Sequence, residues 1–206
     1  MIKKLDFFFF GWVINWLYPK YYRPKYGYQR YYILFFHYLI PQKIFRINPK
    51  VKWPVHFTSK VILPNNISKG ILCDPGDNIN NYIQAKNGIV FGSNVELGPG
   101  VSVISSNHKS DNLREHTSGK PIVIGNHVWI GANSTILPEV NIGNNVIIGA
   151  NSLVINNIPS NSIAVGNPCK VIKQKEPYTE DLSKMVFNKS ILKKHLEFIK
   201  YKPENQ

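Results

Sequence analysis

Residues 121–154 read PIVIGNHVWIGANSTILPEVNIGNNVIIGANSLV. Within this stretch Ile124, Ile130, Ile136, Ile142, Ile148 and Val154 recur every six residues, and Gly125, Gly131, Gly143 and Gly149 each follow a member of the series. Val128, Val140 and Val146, joined by Ser134 and Ser152, repeat the same interval two positions earlier. A helix repeats every 3.6 residues, so it does not generate this step, and the glycine and β-branched content opposes helix independently. A strict period of six reads as a hexapeptide β-helix: a short strand and a turn per repeat, with three repeats closing a triangular coil of about eighteen residues.

The step also runs backward through Val55, Val61, Ile67, Cys73, Ile79, Ala85, Phe91, Leu97 and Val103. With eighteen residues per coil, Val61, Ile79 and Leu97 are expected to stack in one inward column. Cys73 is expected to be buried and inert. Asn94, Asn133, Asn144, Asn145 and Asn151 suit the corners, because asparagine tolerates left-handed backbone. The reading is therefore all-β, a parallel β-helix of about five coils over residues 55–173. An aromatic and basic appendage spans 1–54. An extension spans 174–206, where Thr179 ahead of Glu180 and Asp181 and an apolar stripe from Leu182 to Ile199 predict a C-terminal α-helix.

Charge divides the chain in the same place. Residues 1–60 hold eleven Lys and Arg against a single acid, Asp6, whereas residues 61–206 hold fourteen against eleven. Nineteen of the 26 aromatic residues lie between Phe7 and Phe57. Basic residues among aromatics suit single-stranded nucleic acid or a membrane surface, or they form a packed cap. Nucleic-acid binding would call for basic residues continuing across the body, and they do not. The apolar runs FFFFGWVINWLY (7–18) and YYILFFHYLI (31–40) are too short to span a bilayer. Peripheral membrane contact through residues 1–50 remains an expectation beside the cap. The two cysteines, Cys73 and Cys169, with no secretory leader pattern, point to a reducing, cytoplasmic setting.

The repeat breaks once, at SSNHKSDNLREHTSGK (105–120). A polar, histidine-bearing loop set on a rigid scaffold is a common place for function. Around it, the strings GIVFGSNVELGPGVSVISSNH, PIVIGNHVWIGANSTILPEVNIGNNVIIGANSLV and NIPSNSIAVGNPCKVIK cover residues 88–173 almost continuously. The order of NH, VWIG and GNPxKVI resembles the hexapeptide-repeat acyltransferases. The match is closest to the branch of sugar and surface-polysaccharide O-acetyltransferases that includes the galactoside and maltose enzymes.

That resemblance implies a left-handed winding, acetyl-coenzyme A as donor, and a homotrimer with the donor groove between subunits. It places the catalytic base at His108 and the oxyanion donor at the backbone N–H of Ala132. The pantetheine arm would pass Trp129, Ala132 and Ala150, and Lys170 and Lys173 would meet the coenzyme phosphates. Asn78 aligns with an acceptor-binding asparagine, and the neighbouring acidic contact falls on Lys86. Asp111 is a candidate to orient His108. His116 matches no motif and reads as surface or subunit contact, and His127 as a corner residue. His108, His116 and His127 do not reproduce the zinc spacing of the carbonic-anhydrase relatives of this fold, so no metal is expected. The implied reaction is acetyl transfer to a sugar hydroxyl of a surface polysaccharide or its lipid-linked precursor. N-acyl transfer to an amino sugar, or a non-catalytic β-helical binding scaffold, are the alternatives.

Overall fold

A computed structural model describes residues 5–18 and 30–179. The helix expected after Thr179 lies outside the described residues.

The chain opens with α1, wound one residue per turn wider than an α-helix over Phe7–Gly11 and continuing over Trp12–Leu17. The second helix, α2, runs through Tyr31–Ile33 and then, again widely wound, through Leu34–Ile44. Ile14, Tyr18, Leu34, Tyr38 and Leu39 form a small core between the two. The two run in the same direction, with Phe7 against Tyr31 at one end and Tyr18 against Gln42 at the other. Asp6 ties their starts together, accepting the Tyr31 and Tyr32 backbone N–H groups at 2.9 and 2.8 Å. Acids are favoured at such a helix N-terminus.

The remaining elements are short strands: β1 (Lys60–Ile62), β2 (Ile67–Lys69), β3 (Tyr82–Gln84), β4 (Ile89–Phe91), β5 (Val95–Leu97), β6 (Ser102–Ile104) and β7 (Ile122–Ile124). These are followed by β8 (Val128–Ile130), β9 (Thr135–Ile136), β10 (Asn141–Ile142), β11 (Val146–Ile148), β12 (Leu153–Val154), β13 (Ser162–Val165) and β14 (Lys170–Gln174). They stack as three parallel faces: β1-β3-β6-β9-β12, β2-β4-β7-β10 and β5-β8-β11-β13. The last strand, β14, turns back antiparallel onto β13. From β3 to β12 every third strand in sequence joins the same face, so this part of the chain is a parallel β-helix.

The inward columns follow from the pairing. The first face contributes Val61, Ile83, Val103, Ile136 and Val154. The second stacks Phe91, Ile124 and Ile142, and the third Leu97, Ile130, Ile148 and Ala164. All are buried. Glycine after the inward isoleucine has a steric reason. The N–H of Gly92, Gly125 and Gly143 each donates to the coil above, at 2.7 to 2.8 Å. A Cβ on Gly125 would lie 2.5 Å from the carbonyl oxygen of Gly143, so only glycine lets the corners stack this closely.

The register departs from the sequence reading in the early coils. Ile79 is 45% exposed, and the residue above Val61 is Ile83. Val61 and Ile83 are 22 residues apart, and Ile83 and Val103 are 20 apart, against 18 for Ile130 and Ile148. Between positions matched by the pairing, Val61 to Lys69 and Ile83 to Phe91 each take eight residues to turn the corner, against six for Ile136 to Ile142. Six-residue counting therefore drifts across them, and Leu97 belongs to a different face from Val61. Cys73 is nonetheless buried. A thiol reagent should leave Cys73 unlabelled in the native protein over times that fully label it in denaturant, as a mass-shift assay would show. At the corners, Asn94, Asn133, Asn145 and Asn151 take left-handed backbone, and His127 does so in the same column. Asn144 does not. Its Oδ1 instead accepts the Asn126 N–H at 2.8 Å, in a side-chain ladder up the corner.

Gln42 and Tyr38 fasten the helix pair to the first coil. Gln42 Nε2 donates to the carbonyls of Val51 and Trp53, and its Oε1 accepts from Tyr18. The Tyr38 hydroxyl donates to the Asp77 carbonyl at 2.7 Å. The core of the β-helix accordingly reaches back to Val51.

At this joint the His56 ring lies 4.5 Å from that of Phe57, 5.4 Å from Tyr38 and 6.1 Å from His37. Burial, and secondarily the His37 charge, hold its pKa below the ordinary 6.5. The fold thus favours neutral His56. Its contribution is complete above pH 6.5 and declines as the pH falls through that value. The melting temperature should drop between pH 7.5 and 5.5, and less so in His56→Gln, as calorimetry would record.

Candidate active site

The loop interrupting the repeat leaves β6 at the corner between the first and second faces. Its base is fixed by uncharged polar groups that the preceding coil buries. Gln84 Nε2 donates to the Ser106 carbonyl at 3.0 Å, and the Asn87 N–H donates to Ser105 Oγ at 2.9 Å. Ser106 Oγ and Asn87 Nδ2 both donate to the Thr117 carbonyl. From this base the chain rises as a narrow hairpin in which the Thr117 N–H donates to the Asn107 carbonyl and the Lys109 N–H to that of Glu115. A Lys109–Glu115 ion pair and an Asn112–Glu115 hydrogen bond close the tip.

His108 and His116 face each other across this hairpin, with ring centroids 4.3 Å apart and planes inclined by 32°. His108 is exposed, and no hydrogen bond reaches its ring among the described residues. Both nitrogens can therefore meet a substrate, while stacking on His116 limits the ring's swing. His116 titrates below the ordinary 6.5, chiefly through desolvation and then through the positive charges of Lys86 and His108. At neutral pH it is an uncharged platform. The sequence reading assigned His116 no part in the site. The signal available was its position near the far end of a short polar loop, where a hairpin pairs it with His108.

His108 overlooks an open cleft of about 610 Å³, which Ser110 and Thr117 of the loop share with Leu137, Glu139 and Ile155 of the coils above. The cleft holds a base, an acid and an apolar floor.

The other candidate residues occupy other parts of the coil. Ala132 and Ala150 lie at the corner between the third and first faces, one above the other, and neither N–H has an acceptor among the described residues. Trp129 points outward from β8 and is 49% exposed. Lys170 and Lys173 are exposed on β14. This side therefore offers small side chains, a free N–H, an accessible ring and two cations, which suits a coenzyme A arm in chemistry. The first face, three residues or about 10 Å wide, separates it from the loop. A single chain does not bring His108 to Ala132.

Asn78 engages backbone at both ends of its side chain. Its Nδ2 donates to the Leu97 carbonyl at 3.2 Å and its Oδ1 accepts the Ile79 N–H at 2.9 Å, so both ends of the amide brace backbone. Asp111 is exposed at the loop tip and makes no hydrogen bond to His108, so it does not orient that ring here.

Comparison with known proteins fits this architecture. Residues 121–156 match the model of the bacterial transferase hexapeptide (six repeats). Galactoside O-acetyltransferase of Escherichia coli K12 is 40% identical over 89 residues, which are 42% of this chain and 44% of that protein. The crystal structure of a maltose O-acetyltransferase from Clostridium difficile 630 is 35% identical, over 58% of this chain and 64% of that one, with a TM-score of 0.51. A galactoside acetyltransferase solved in complex with coenzyme A is 32% identical, over 60% of this chain and 68% of that one, with a TM-score of 0.49. The chain spans about half the length of the curated relatives it matches. With the repeat, the three-faced coil and these identities together, the chain belongs to the hexapeptide-repeat acyltransferases.

Proposed function

We propose that the protein is an acetyl-coenzyme A-dependent O-acetyltransferase. Its acceptor is a sugar hydroxyl of a surface polysaccharide or its lipid-linked precursor, and His108 is the general base. The observation that carries this reading is an exposed histidine with both nitrogens unengaged, held by a braced hairpin over an open cleft. The relatives named as maltose and galactoside O-acetyltransferases support the choice of acceptor class.

The winding is left-handed and the working unit is a homotrimer, as the family resemblance implies. Because His108 and the Ala132 N–H stand at different corners of one coil, each site joins the loop of one copy to the donor corner of its neighbour. In the reaction His108 removes the acceptor hydroxyl proton as the oxygen attacks the thioester carbonyl. The Ala132 N–H points at the oxyanion of the tetrahedral intermediate. The C–S bond then breaks, and His108 returns its proton to the departing thiolate. Ala132 and Ala150 leave room for the pantetheine arm beside Trp129, and Lys170 and Lys173 act as point charges toward phosphate. No covalent enzyme intermediate forms.

The test is free-thiol release from acetyl-coenzyme A over a panel of neutral hexoses, amino sugars and oligosaccharides, with the product identified by NMR. An acetyl ester is the expected product. An acetamide formed on the amino sugars alone would replace O- by N-transfer. Acceptor-independent background throughout would remove the reading.

Asp111→Ala should keep turnover within about threefold of wild type in the same assay, because the residue makes no bond to the base.

A further inference from the structure

We infer that the pair of N-terminal helices is a docking surface for an anionic phospholipid bilayer, an inference that rests on these helices alone and not on the acyl-transfer reading. Along α1, Gly11, Ile14 and Tyr18 turn inward. The opposite face, where a surface helix ordinarily carries charge, presents Leu5, Phe8, Phe9, Trp12 and Trp16. Phe8, Trp12 and Trp16 are 70, 62 and 73% exposed. The spacing 5, 8, 9, 12, 16 is that of a single helical stripe, and it contains no charged residue. Ring contacts carry the surface onto α2. Phe8 meets Phe9, Phe9 meets Phe10, and Phe10 lies 5.8 Å from Phe36, which is itself exposed.

Charge selects the occupant. Exposed Arg30, Lys43, Arg46, Lys50 and Lys52 lie around and beyond the ends of α2, and Lys3, Lys4, Lys20, Arg23 and Lys25 flank α1 in the sequence. The one acid of the first sixty residues, Asp6, is spent capping α2. A second copy of this helix pair would bring like charges together without a counter-charge. A nucleic acid would want cations among the stacking rings, whereas here the rings form an uncharged stripe with the cations at its margin. Tryptophan and phenylalanine flanked by lysine and arginine match the headgroup boundary of a bilayer, where such a face lies flat. No helix among the described residues is long and apolar enough to cross a membrane, so the contact is peripheral.

The full-length protein should float with phosphatidylglycerol-containing vesicles at low salt and much less with pure phosphatidylcholine. High salt should release it, and Trp12 and Trp16 emission should shift to the blue on binding. Trp12→Ser/Trp16→Ser should weaken binding by at least about tenfold, and Lys43→Gln/Arg46→Gln by roughly fivefold for each cation neutralised. Both variants should retain wild-type melting, oligomeric state and solution thiol release. Absence of flotation by a folded wild-type protein at low salt would overturn the inference, as would undiminished binding by the tryptophan variant. A change of oligomeric state in that variant would show that a second copy covers the face. Displacement from vesicles by an oligonucleotide at equal charge concentration would show a polyanion site instead.

Discussion

Replacing His108 by alanine should lower acetyl-coenzyme A-dependent turnover by roughly 10²–10⁴-fold, the range expected for loss of a general base. The effect should fall on kcat more than on KM, because His108 acts on the proton and not on the binding of either substrate. Its ring is exposed and takes no part in the buried core, so the melting temperature and assembly should stay at wild-type values. His116→Phe makes the informative comparison. Phenylalanine keeps the stacking plane at 4.3 Å but removes the titrating group. It should retain most activity, whereas His116→Ala should lose more by freeing the His108 ring. Equal losses in the two His116 variants would mean that His116 takes part in proton transfer itself.

The largest effect on stability should come from a glycine. Gly125→Ala would place its Cβ 2.5 Å from the Gly143 carbonyl oxygen and 2.6 Å from the carbon, both backbone atoms of the next coil. Neither can move without parting the stacked corners and stretching the Gly125 N–H bond to Ile142. A loss of about 3 kcal/mol is expected, or about 10 °C in melting temperature at this chain length. Gly119→Ala is the control. The nearest atom there is the end of the Glu139 side chain, which can swing aside, so a loss below about 1 kcal/mol is expected. Similar melting of the two variants by scanning calorimetry would contradict the stacking argument.

How much of this was legible in the sequence depended on the corners. From Ile124 to Val154 the inward residues fall every six positions and stack as the spacing implies, because each corner there has the same length. The glycines after the isoleucines were visible as a pattern, but their cause, backbone packing between coils, appears only in three dimensions. Earlier in the chain, widened corners shift the frame, which left Ile79 exposed where an inward residue was expected. Asn78 was placed by counting back from Gly92 across one of those corners. The loop announced itself by breaking the repeat, and His108 by its motif. His116 was out of reach because its partner is set by a hairpin register that no hexapeptide period encodes.

Subunit complementation is the most direct test of a site shared between the loop of one copy and the donor corner of the next. Ala150→Trp should fill the donor corner and abolish thiol release while leaving the fold intact, as Ala150 is exposed. His108→Ala removes the base from the other edge. Each variant alone should be inactive. Unfolded together and refolded as mixed oligomers, the two should recover a substantial fraction of wild-type turnover, because some interfaces then carry both an intact His108 and an open donor corner. No recovery in mixed oligomers of verified composition would contradict a site shared between copies.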